Sequence, residues 1–122
     1  NPIACTAGLA SLDLLLSEES IADRQRIIAA HNTFTQQIKK HSSITDIRQE
    51  GTVLAIELYT GAQTSYHHSQ RDFIYNFFLE RGILMRPLGN IIYLIPPYCI
   101  SSEQLQQIYS SIEELLTTLS IQ

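Results

Sequence analysis

An α+β fold, a small antiparallel or mixed sheet flanked by helices, follows from three features of the sequence. Long segments of helical periodicity open and close the chain. Between them lie two pairs of short β-rich runs, each pair divided at a glycine, Gly51 and Gly89. One further helical segment separates the pairs, so the elements read ααββαββα.

The first helix covers residues 1–16. Asn1 can cap it, and Pro2 brings a pre-set φ to the first helical position. The rest of this helix is apolar nearly all round, unlike a surface helix with one wet face, so burial against a large domain or a partner subunit is expected. Ser17 to Ser20 breaks the pattern, and Ser20-Ile21-Ala22-Asp23 resembles a capping box with Asp in the Glu position. It opens a second helix to about Lys40, with Ile21, Arg24, Ile28, His31, Thr35 and Ile38 on one face.

Residues 44–59 read as two strands turning at Gly51, the second of them the β-rich Thr52-Val53-Leu54-Ala55-Ile56-Glu57-Leu58-Tyr59. A polar loop from Thr60 to His68 comes next. Ser69 can cap a third helix over 70–81, with Phe73, Ile74, Phe77 and Phe78 as its stripe and Gly82 as a left-handed stop. Residues 83–88 and 91–94 read as strands joined tightly at Gly89-Asn90. Pro96-Pro97 ends the sheet, because proline donates nothing to a ladder. Ser101 and Gln104 form a capping box for a last helix striped by Leu105, Ile108, Ile112, Leu115 and Leu119.

With 122 residues, 44% of them hydrophobic, the chain fits one domain over 1–122 with one core. The net charge is -4 and the eight Lys/Arg are scattered, so no basic face for nucleic acid is visible. No apolar run approaches the ~20 residues that span a bilayer, and no secretion signal opens the chain. Cys5 and Cys99 lie far apart, which suggests two buried thiols in a reducing cytoplasm. The only methionine is Met85, and the chain opens on a helix cap; both suggest a fragment of a longer protein.

Residues 86–98, Arg86-Pro87-Leu88-Gly89-Asn90-Ile91-Ile92-Tyr93-Leu94-Ile95-Pro96-Pro97-Tyr98, carry the strongest candidate chemistry. Pro87 restricts Arg86 to an extended backbone, so its fork of donors leaves the chain in a set direction. Such a fork matches a carboxylate, although pairing with a neighbouring Glu is the alternative. Tyr93 and Tyr98 could wall a ligand pocket or pack in the core. His67-His68 read as a loop pair without a third metal ligand, and His31 and His41 as structural or exposed. Lys39 and Lys40 end a helix, where their charge suits the macrodipole, and neither has the desolvated setting of a Schiff-base lysine. Glu57 is expected at an edge or exposed position. No nucleophile–base pair, phosphate loop or metal cluster can be assembled, so a binding platform is indicated and not a complete active site. A stand-alone interaction module is one reading of such a platform.

The opening Asn1-Pro2-Ile3-Ala4-Cys5 with its Ala/Leu helix, together with residues 86–98, resembles the C-terminal part of class III, fold-type I, pyridoxal-phosphate aminotransferases. The Ile-Tyr-Leu-Ile-Pro-Pro-Tyr run is most similar to the biotin-synthesis branch, with Ile95 where methionine is common. The resemblance implies a homodimeric parent that transfers an amino group from S-adenosylmethionine to 8-amino-7-oxononanoate, giving 7,8-diaminononanoate. It implies that Arg86 binds the substrate carboxylate and that Tyr93 lies close to the same pocket. It also implies that the cofactor lysine, the aspartate facing the pyridine nitrogen and the ring stacked on the cofactor lie ahead of Asn1. On that reading this chain holds no catalytic residue, binds no cofactor or metal, and is inactive alone. A class III enzyme acting on ornithine, 4-aminobutyrate or a related ω-amino acid is the neighbouring possibility.

Overall fold

The computed structural model of the chain describes residues 1–59 and 70–120. The elements run α1 (Pro2–Leu16), α2 (Glu18–Ile38), β1 (Ile44–Glu50), β2 (Val53–Leu58), α3 (Gln70–Leu79), β3 (Ile91–Leu94) and α4 (Ser102–Ser120). The expected polar loop, the His67-His68 pair and the Ser69 cap lie outside the described residues.

The sheet is antiparallel in the order β1-β2-β3. β2 pairs with β1 through Ile47↔Ile56 and Gln49↔Leu54, with a register shift between Ile44 and Asp46, and with β3 through Ile56↔Ile92 and Leu54↔Leu94. Alternation then fixes the faces: Leu54, Ile56, Leu58, Ile92 and Leu94 are buried, while Val53, Ala55, Glu57 and Tyr93 stand on the opposite, wetter side. The buried face packs with Ile27, Phe34 and Ile38 of α2, Ile74, Phe77 and Phe78 of α3, and Leu105, Tyr109, Ile112, Leu115 and Leu116 of α4 in one core. Phe34 stacks on Tyr109 at 4.2 Å between ring centroids and so welds α2 to α4. Across α3 and α4, Arg81 makes a two-pronged pair with Glu114 at 2.9 and 2.5 Å and lies 3.6 Å over the Phe77 ring.

Several expectations hold in detail. Asn1 Oδ1 accepts the Ile3 N–H at 3.0 Å. The Ser101–Gln104 box closes reciprocally, at 3.0 and 3.2 Å. Gly82 sits at φ 72 with Ile83 N donating to the Phe78 carbonyl, the left-handed stop expected for α3.

Other expectations are corrected. The cap of α2 is Ser17, whose extended backbone (φ -64, ψ 150) lets Glu18 start the helix and whose hydroxyl accepts the Ser20 N–H at 3.2 Å. Glu18 and Glu19 then fill the first turn, where negative charge suits the N-terminus. The inward stripe of α2 is Ile27, His31, Phe34, Thr35 and Ile38; Ile21 is exposed. Phe73 is likewise exposed. Residues 83–88 form no strand, so the order is ααββαβα. Only the Leu88↔Ile91 bridge joins them to β3, since Pro87 has no N–H to extend the ladder. Glu57 is on the central strand instead of an edge, half-buried beside Arg48 at 3.4 Å. Cys5 and Cys99 are exposed thiols, not buried ones: α1 buries no residue, and Cys99 lies in the turn after the double proline.

Candidate functional site

Residues 86–98 form a stiff frame. Leu88 and Ile91 exchange both backbone hydrogen bonds, at 2.9 and 3.0 Å, and close a two-residue turn. Gly89 adopts φ 63 and Asn90 does not go positive, the pattern of a type II′ turn, which needs glycine at its first central place. Buried Asn90 anchors the turn to the end of β2: its Nδ2 donates to the Leu58 carbonyl at 2.8 Å, and its own carbonyl accepts the Leu58 N–H at 3.0 Å. Ahead of the turn, burial alternates. Met85 and Pro87 point inward, while Leu84, Arg86 and Leu88 point out. Arg86 lies on the exposed side of this alternation, so its guanidinium is turned away from the core.

A groove of about 530 Å³ runs along the free edge of β3. Its floor and walls come from residues 82–86, from Tyr93 through Pro97, and from the first turns of α4. Arg86 and Tyr93 both line it, so the structure brings these two candidates together. Ile83, Leu84, Ile95 and Ile108 make much of the rest apolar. Among the described residues, the salt bridges engage Arg26, Arg48, Arg71 and Arg81, and none engages Arg86. A fork of donors lining a largely apolar groove suits a ligand with a carboxylate on an aliphatic chain.

The remaining candidates lie elsewhere. Tyr98 is outside the groove, under the Arg24 guanidinium at 5.3 Å. His31 is fully buried between helices and sheet: Nε2 donates to the Thr52 carbonyl at 3.1 Å, which leaves Nδ1 to accept the Tyr109 hydroxyl at 2.6 Å. Desolvation holds its pKa below the ordinary value of 6.5. His41 Nδ1 accepts the Ser43 N–H at 3.3 Å, a local turn contact. Lys39 and Lys40 are exposed at the end of α2. Among the described residues no group of three His, Cys, Asp or Glu could hold a metal ion, and no helix is long and apolar enough to cross a membrane.

Sequence reasoning missed the contribution of α4 to the groove, because Gln104 and Ile108 reach it through packing that no local pattern encodes. It also missed what Arg24 and Arg26 hold, although Arg24 already stood on the inward-reading face of its helix.

The family model described as "Aminotransferase class-III" matches residues 1–116. Adenosylmethionine-8-amino-7-oxononanoate aminotransferase of Synechococcus elongatus is 37% identical over 116 residues, which are 95% of this chain and 27% of that protein. The crystal structure of the enzyme of the same name from Methanocaldococcus jannaschii superposes with a TM-score of 0.75 at 30% identity, over 93% of this chain and 28% of that one. Acetylornithine aminotransferase from Elizabethkingia anophelis superposes with a TM-score of 0.79 at 28% identity, over 97% of this chain and 30% of that one. The chain thus spans about a quarter of the length of the relatives it matches.

Proposed function

Because the chain belongs to the class III aminotransferase family, we propose that it is the C-terminal domain of a pyridoxal-phosphate enzyme of biotin biosynthesis. The parent moves an amino group from S-adenosylmethionine to 8-amino-7-oxononanoate, giving 7,8-diaminononanoate. The observation that carries this reading is the pairing of Arg86 and Tyr93 on one apolar-walled groove, with no ion pair to Arg86 among the described residues. The names of the relatives at 37% and 30% identity support the choice of branch.

In this reading Arg86 takes the substrate carboxylate through two parallel N–H···O bonds. The aliphatic chain lies on Leu84, Ile95 and their neighbours, and Tyr93 closes one side. Fixing the far end sets by length where the reacting carbon sits, which converts binding into orientation. The cofactor, when bound, supplies the electron sink for amino transfer. The residues of this chain do not fit it: the lysines are Lys39 and Lys40, both exposed, where an imine-forming lysine needs a desolvated site. The chain alone is therefore inactive. Residues 1–122 serve the parent as one domain, with α1 packed on the large domain or on the second subunit of a homodimer; its exposed Ile3, Leu9 and Leu14 support that placement. The cytoplasm, where Cys5 and Cys99 stay reduced, is the matching compartment.

The likeness to an acetylornithine aminotransferase favours one second reading, an enzyme of the ornithine or 4-aminobutyrate type. Donor competition separates the two. The full-length enzyme is incubated with 8-amino-7-oxononanoate and either S-adenosylmethionine or ornithine, and 7,8-diaminononanoate is measured. Product with S-adenosylmethionine is expected; turnover of ornithine alone would move the assignment to the second reading.

A further inference from the structure

The frame that presents Arg86 ends at Tyr98, and α2 holds that end from two sides. Arg26 donates to the Ile100 carbonyl at 2.6 Å and reaches Ser102 Oγ at 3.5 Å, steadied by Asp23 at 3.1 Å. Arg24 reaches further. Its Nη1 donates to the Leu15 carbonyl at the end of α1, at 2.8 Å, and to Ser20 Oγ at 2.9 Å. Its guanidinium carbon lies 5.3 Å from the centroid of the Tyr98 ring, within cation–π range. Three pieces of chain meet on this one side chain: the end of α1, the first turns of α2, and the aromatic end of the frame. A cleft of about 380 Å³ lies between Leu14 and Leu15 at the end of α1 and Tyr98 and Cys99 at the end of the frame.

The links between Tyr98 and Arg86 are stiff. Three prolines, the paired strand β3 and a closed two-residue turn leave few soft torsions in between. From this geometry, and resting on the carboxylate role of Arg86 proposed above, we infer that Arg24 is a positioning residue for substrate. It sets the angle between α1 and the frame, and so the distance from the Arg86 guanidinium to whatever the α1 side of the enzyme holds. Arginine suits this role, because its planar fork can donate to a carbonyl and a hydroxyl while presenting a face to a ring, which a lysine cannot do together.

The test uses the full-length enzyme and compares 8-amino-7-oxononanoate with its methyl ester, which keeps the chain and loses the charge. The ratio of kcat/KM for acid over ester reads the Arg86 contact. Arg24→Gln should lower that ratio by about tenfold through KM for the acid, with kcat and KM for the ester near wild type, as misplacement of a positioning contact predicts. Tyr98→Leu, which keeps the Arg24 hydrogen bonds and removes the ring, should shift the ratio in the same direction, and it decides the matter if Arg24→Gln does not fold. A ratio unchanged in these variants, or equal losses of kcat on acid and ester, overturns the inference. Arg86→Ala is run beside them. If it collapses the ratio while the Arg24 and Tyr98 variants do not, only this inference fails; if it too leaves the ratio unchanged, the carboxylate role of Arg86 fails with it.

Discussion

His31 shows what a single side chain can settle. It is fully buried, yet both ring nitrogens have partners, which is how a polar group stays in a core without large cost. Its pKa is lowered by desolvation, with the Thr52 carbonyl acting in the opposite direction. As pH falls the unfolded chain therefore takes its proton first. The stability that neutral His31 contributes is complete above its ordinary value of 6.5 and is lost as pH drops from there toward the folded value. Urea midpoints measured from pH 7.5 to 5 should decline below about pH 6.5 in the wild type, and less steeply in His31→Gln; parallel slopes would contradict the assignment. Tyr109→Phe removes the donor to Nδ1 and leaves that nitrogen buried and unpaired, which should cost about 1–3 kcal/mol. A midpoint shift below that range would mean another group replaces the hydroxyl. The helical spacing puts His31 on the inward face but cannot name Tyr109, 78 residues away. Arg86 is the opposite case, since the restriction that Pro87 places on its backbone is local in sequence.

At the scale of elements, local chemistry is legible where partners are close in sequence. The Asn1 cap, the Ser101–Gln104 box, the Gly82 stop and the Gly89-Asn90 turn all lie within a few residues of their partners. Ser101→Ala should destabilise α4 by about 1 kcal/mol, seen as a lower urea midpoint with an unchanged slope. Gly89→Val sets a β-branched residue at φ 63 and should lose more than that, with its neighbour Arg86 displaced in turn. Legibility fails where neighbours decide. Residues 83–88 have strand composition and period-2 burial, but Pro87 withholds the donor that a fourth strand would need. The stripe that spacing predicts for α2 misses Ile27 and Phe34, because these two are chosen by what packs on them. Ile27→Ala, at the centre of that contact, should cost about 2–5 kcal/mol in the same melts.

At the scale of the whole molecule, the two faces of the sheet differ. One face of the sheet is closed by α2, α3 and α4. The other carries Tyr93, Glu57 and Arg48, and α1 offers a helix with Ile3 80% and Leu14 71% exposed. Apolar area on that scale is seldom left to water, which supports the proposed packing of α1. Fold class and the opening helix are readable from composition and caps alone. The groove is not, since it exists only where β3, residues 82–86 and α4 come together. The proposed function depends on what that groove holds. The most direct measurement is KM for 8-amino-7-oxononanoate in the full-length enzyme carrying Arg86→Ala. Loss of a charged, two-pronged hydrogen bond of about 2–4 kcal/mol should raise KM by roughly 30-fold or more while kcat changes far less. A KM equal to that of the wild type would remove Arg86 from the carboxylate and contradict the proposed function of the groove.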